Sequence, residues 1–97
     1  MEFPNLSGRV VDTANILTQQ ERSTLSSILQ QHEEKTTNQI VVVTLSSLNN
    51  YDIADYGYQL ARYWGIGTKE KNNGVLLIVA PKERQLRIEV GYGLEVN

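Results

Sequence analysis

A chain with one histidine and no cysteine cannot build a thiolate nucleophile, a cysteine zinc site or a histidine cluster. Any metal it holds is therefore a hard cation on carboxylate and amide oxygens, with calcium the natural candidate. Glu95, Asn73, Gln39 and Asp12 supply such oxygens, and Glu95 and Asp12 are the charged pair among them. Gly91, Gly93 and Gly74 sit where the backbone either turns tightly or approaches a ligand closely. Neither Gly91-x-Gly93 nor Gly65-x-Gly67 continues as a dinucleotide fingerprint, because Val96 and Glu70 stand at the sixth positions. No Walker A loop, G-x-S-x-G elbow or EF-hand loop is present. Catalysis would then rest on a metal polarising a phosphoryl oxygen or activating water, and no catalytic residue can be assigned. Asp12, in Val11-Asp12-Thr13-Ala14, reads as an Asx cap or as an ion ligand, and Glu95 as a helix-start residue or an oxygen ligand.

These residues belong to one small domain. The 97 residues carry nine basic and eleven acidic side chains, a net charge of −2, and 40% hydrophobic residues, the composition of an ordered globular chain. Basic residues are scattered, so nucleic acid is excluded as a partner. The longest apolar run, Gly74 to Ala80, is far below the roughly 20 residues of a membrane span, and Met1-Glu2-Phe3-Pro4 lacks the form of a signal peptide. The chain is expected to be soluble as it stands, with residues 1–8 an N-terminal extension and 9–97 the domain. Oligomeric state is not legible.

Arg9-Val10-Val11-Asp12 suits a short strand. Thr18-Gln19-Gln20-Glu21 is a capping box, followed by Leu25, Ile28, Leu29, His32 and Thr36 at helical spacing, which predicts a helix over 19–36 with a packed His32. Ile40 to Val43 and Val75 to Val79 read as strands buried on both faces, parallel and adjacent. Between them Asp52 caps a helix whose inner arc holds Ile53, Tyr56, Gly57, Leu60 and Trp64, a βαβ unit with a right-handed crossover. Pro81 to Arg84 turns the chain into an antiparallel strand, with Leu86, Ile88 and Val90 alternating with a wetter Arg87 and Glu89. The outcome is an α/β domain with a mixed sheet: a βαβ unit followed by an antiparallel hairpin. Gln39, Asn73 and Glu95 share the edge where the parallel strands start, whereas Asp12, Ser46 to Asp52 and the Pro81 turn lie toward the opposite edge. Tyr51, Tyr58 and Tyr63 are left for a protein-binding surface.

Val10-Val11-Asp12 with Leu17, Gln39 opening an apolar strand, Trp64-Gly65-Ile66-Gly67, Asn73-Gly74-Val75-Leu76-Leu77 and Gly91-Tyr92-Gly93-Leu94-Glu95 resemble the TPM domain family. That family includes bacterial YgcG-type proteins and a thylakoid-lumen acid phosphatase, and the resemblance runs from about Pro4 to Glu95. It implies a three-layer α/β/α sandwich and an extracytoplasmic location. It also implies a membrane anchor in the full-length parent and a calcium-associated phosphatase activity in the plant branch. Family domains continue past Gly-Tyr-Gly-Leu-Glu with further helix, so the C-terminal part of the domain is expected to be missing. Two functions follow as expectations: calcium-assisted hydrolysis of a phosphomonoester, or a noncatalytic module that assembles membrane protein complexes.

Overall fold

The computed structural model describes residues 2–66 and 74–90. Four strands, β1 (Val10–Asp12), β2 (Gln39–Thr44), β3 (Gly74–Ala80) and β4 (Gln85–Val90), lie in that order in one sheet. β1, β2 and β3 are parallel, and β4 returns antiparallel to β3. Two helices make the crossovers, α1 (Gln19–Thr36) and α2 (Ile53–Trp64).

Both helices start where the sequence supplies a cap. Thr18 accepts from the Glu21 N–H while the Glu21 carboxylate accepts from the Thr18 N–H, the complete capping box. Asp52 accepts from the Asp55 N–H. α2 ends at Gly65, whose left-handed φ of 68° closes the last turn.

Period-two alternation divides the strands between two faces. Val11, Val41, Val43, Leu76, Ile78 and Ala80 are buried on one of them, together with Leu45, Leu48, Tyr56, Leu60, Ala61 and Ile66. α2 covers this face over β3 and β4. It comes so near that a Cβ built on Gly57 would stand 2.5 Å from Ile78 Cδ1, so the bare glycine is what lets the helix approach. α1 packs on β1 and β2. Its buried Leu29 and the buried Val42 stand outside the main core, and Val42 alternates away from Val41 and Val43, so α1 lies on the opposite face. The result is three layers, α/β/α.

Two expectations are corrected here. β3 is not buried on both faces: its pattern alternates buried and half-buried residues. On β4 the polarity is inverted, with Glu89 buried at 7% exposure while Leu86 and Ile88 are 63% and 59% exposed. The physical reason is coverage. α2 lies over the side carrying Arg87 and Glu89, and α1 stops at β2, so no described element covers the other side of β3 and β4.

Candidate functional site

Asp12 ends β1 opposite Thr44, the last residue of β2. Thr44 is only 2% exposed, and its hydroxyl donates to Asp12 Oδ1 at 2.5 Å while accepting from the Ala14 N–H at 3.0 Å. The same carboxylate accepts from the Ile16 and Leu17 N–H groups at 3.1 and 2.9 Å, and the Thr13 hydroxyl donates to the Thr44 carbonyl. Asp12 thus ties the β1–α1 turn to the end of β2, the Asx-type role that its Val-Asp-Thr-Ala context allows. Burial pushes its carboxyl upward, but hydrogen bonds from Thr44, Leu17 and Ile16 and the nearby Arg22 charge outweigh this and hold it below the ordinary aspartate value.

Gln39 opens β2 at the other end, directly opposite the buried Gly74 that opens β3. Asp12 and Gln39 are therefore about five residues apart along the strands, roughly 16 Å, and do not meet. Asn73, Gly91, Gly93 and Glu95 lie outside the described residues. Among the described residues no three of the types His, Cys, Asp and Glu come together in a metal-binding group. The described donors do not fit calcium, which takes six to eight oxygens, because Gln39 offers one neutral oxygen and the Asp12 carboxylate already holds the turn. His32 is half-buried on the flank of α1.

The surface of the molecule is more distinctive than its polar edges. On the uncovered side Leu77 stands opposite Ile88 and Val79 opposite Leu86, an apolar ladder that runs up to the buried Val42 beside Leu77 on β2. Ile28 on α1 is a further exposed apolar side chain. Across the sheet, Tyr51, Tyr58 and Tyr63 are exposed around α2, whereas Tyr56 is buried, its hydroxyl pushed upward in pKa by that burial. Residues 2–4 strap across α2: the Tyr56 hydroxyl donates to the Glu2 carbonyl at 3.4 Å, the Trp64 Nε1–H donates to the Pro4 carbonyl at 2.9 Å, and the Phe3 ring meets Tyr56 edge-on.

Thr44 and Glu83 were not legible as functional positions. Thr44 ends an apolar strand, and that position beside a parallel Val-Val-Asp is the one signal that could have paired it with Asp12. Glu83, in the β3–β4 turn, accepts from the Leu48 N–H at 2.9 Å and so pins the loop before α2. Its other carboxylate oxygen is buried with no hydrogen-bond partner among the described residues.

Comparison with known proteins assigns this arrangement. The family model described as the TPM domain matches residues 10–97. The chain belongs to the TPM domain family. The solution NMR structure of the N-terminal domain of a protein from P. gingivalis is 35% identical, with a TM-score of 0.84, and the match covers 95% of this chain and 62% of that one. A second NMR structure, the N-terminal domain of a protein from Corynebacterium glutamicum, is 23% identical with a TM-score of 0.75 over 94% of this chain and 59% of its own, and shares the fold. This TPM chain thus spans about three fifths of each of those two chains. None of the curated proteins matches it. No helix among the described residues is long and apolar enough to cross a membrane.

Proposed function

We propose that this TPM domain is a noncatalytic interaction module of an extracytoplasmic, membrane-associated protein, and that it docks a partner polypeptide of a membrane complex on the uncovered side of β3 and β4. The observation that carries the reading is the exposed pair Leu86 and Ile88 beside Leu77 and Val79. Large apolar side chains gathered on one open face mark interaction surfaces in soluble domains. The family resemblance supplies the extracytoplasmic and membrane-associated part of the proposal. The test is site-specific photo-crosslinking of the full-length parent in its native membrane, with the crosslinker at position 88 and, as control, at Glu34 on exposed α1. A discrete heterologous adduct at position 88, absent at position 34 and abolished by Leu86→Lys, supports docking. No adduct at position 88, or an adduct formed only within the parent chain itself, overturns it.

A second reading, calcium-associated hydrolysis of a phosphomonoester, is supported by the family resemblance and by Gln39 opening β2 opposite Gly74, at the start of the two central parallel strands. Glu95 is the charged ligand that reading requires. Hydrolysis of a generic phosphomonoester that depends on added calcium and is lost in Glu95→Gln would replace the module reading. Hydrolysis at the blank rate with and without calcium counts against the second reading.

A further inference from the structure

We infer that β4 is a homodimerisation edge, on which a second copy of this chain adds its own β4 antiparallel to extend the sheet. β4 is the outer strand of the sheet, and no strand among the described residues lies on its far side. Proteins blunt such edges with proline, charged side chains, inward-pointing charges, bulges or very short strands. β1, at the other edge, is three residues long. β4 has six residues, none of them proline or lysine, in an unbroken one-to-one register with β3, and its two charges, Arg87 and the inward-pointing Glu89, are of opposite sign, so they repel a second copy only in the wrong register.

Its sequence is self-complementary in one register. Place a two-fold axis at Ile88, perpendicular to the sheet, and Ile88 meets Ile88 of the partner subunit. Leu86 then meets Val90 of the partner subunit, and Arg87 meets Glu89 of the partner subunit. By symmetry the same pairs form twice, apolar on one face and oppositely charged on the other. Moving the axis to Arg87 sets arginine against arginine, and moving it to Glu89 sets glutamate against glutamate. Opposed like charges destabilise a strand pair, so charge selects the Ile88 register. The ion pair inside one strand, Arg87 Nε to Glu89 Oε2 at 3.1 Å, shows that these side chains reach along their face. Arg87 is 43% exposed and can also reach across the axis, while the buried Glu89 keeps a cationic neighbour. An isologous contact of this kind closes as a dimer.

Pairing leaves both copies of α2 on one side and both apolar ladders on the other, so the open face is doubled rather than covered. The inference goes beyond the docking proposal and stands without it. The test is sedimentation equilibrium of the chain over a wide concentration range. The expected result is a concentration-dependent doubling of mass. Arg87→Glu sets two glutamate pairs across the axis and should weaken the dimer by about tenfold, measured at a temperature where far-ultraviolet circular dichroism shows the variant folded without the ion-pair partner of Glu89. Ile88→Lys, which leaves that ion pair in place, should weaken it too. A chain that stays monomeric up to its solubility limit overturns the inference. So does a dimer broken by Ile88→Lys yet untouched by Arg87→Glu, because Arg87 faces away from the ladder and such a dimer would be held by the open face. The heterologous adduct that tests the docking proposal is unaffected by either result.

Discussion

The two sides of β4 oppose each other in an instructive way. One side carries Arg87 and Glu89 and lies under α2; the other carries Leu86 and Ile88 and lies open. Side-chain polarity alone would reverse the assignment. What decides burial is where a helix comes to rest, and α2 rests over β3 and β4 because Gly57 lets it sit against Ile78. Glu89 tolerates the burial because it keeps Arg87 as an ion-pair partner at 3.1 Å.

The sharpest way to break this contrast is at the closest contact. Gly57→Leu should lower stability by about 1–3 kcal/mol, since Ile78 is fully buried and has little room to give, whereas Tyr58→Ala on the exposed side of α2 should stay within about 0.5 kcal/mol. Urea midpoints ranked the other way would place the wrong face of α2 on the sheet.

Asp12→Ala comes next. It removes the acceptor for Thr44, Ile16 and Leu17 at the covered end of the sheet and should cost about 1–3 kcal/mol in the same measurement. Its pH dependence has a fixed sign. The folded carboxyl titrates below its unfolded value of 3.8, so its contribution is fully present above that value and is lost as pH falls through the depressed folded pKa. Asp12→Asn should therefore flatten the acid limb of stability against pH, and an unchanged limb would remove Asp12 from the turn's energetics.

A matched pair of conservative changes then compares the two sides directly. Ile78→Val under α2 should cost about 0.5–1.5 kcal/mol. The smallest effect belongs to Ile88→Thr on the open side, within about 0.5 kcal/mol when measured at concentrations where the chain is monomeric. A large loss at Ile88 would mean that this side is covered after all.

Much of this fold was legible in the sequence. Thr18 with Glu21, and Asp52, announced the helix starts, and the β-branched runs announced β2 and β3. The close approach at Gly57 was legible from its place on the inner arc of α2. Coverage was not. Alternation of Leu86, Ile88 and Val90 with Arg87 and Glu89 fixes which residues share a face, but not which face receives a helix. Ile28 shows the same gap, for it falls on the apolar arc of α1 yet is exposed. For the candidate site, Asp12 was legible as either cap or ligand, and the hydrogen bonds it accepts from Ile16, Leu17 and Thr44 show it in the capping role. Its dependence on Thr44 joins residues 32 positions apart, a distance that local pattern does not bridge. Gln39 opens β2 opposite Gly74, while Asn73 and Glu95 fall outside the described residues.

The strap of residues 2–4 across α2 decides what an optical unfolding experiment on this domain would report. Trp64 is the chain's single tryptophan, and its indole is bonded to Pro4, 60 residues away. Closing so long a loop carries an entropy cost, and chain termini held by few contacts open before the sheet does. Emission from Trp64 therefore follows the strap, while far-ultraviolet circular dichroism follows the helices and strands. A fluorescence transition that precedes the dichroism one is the signature of the strap lifting off an otherwise folded sheet, and a two-state fit to fluorescence alone would understate the stability of the core.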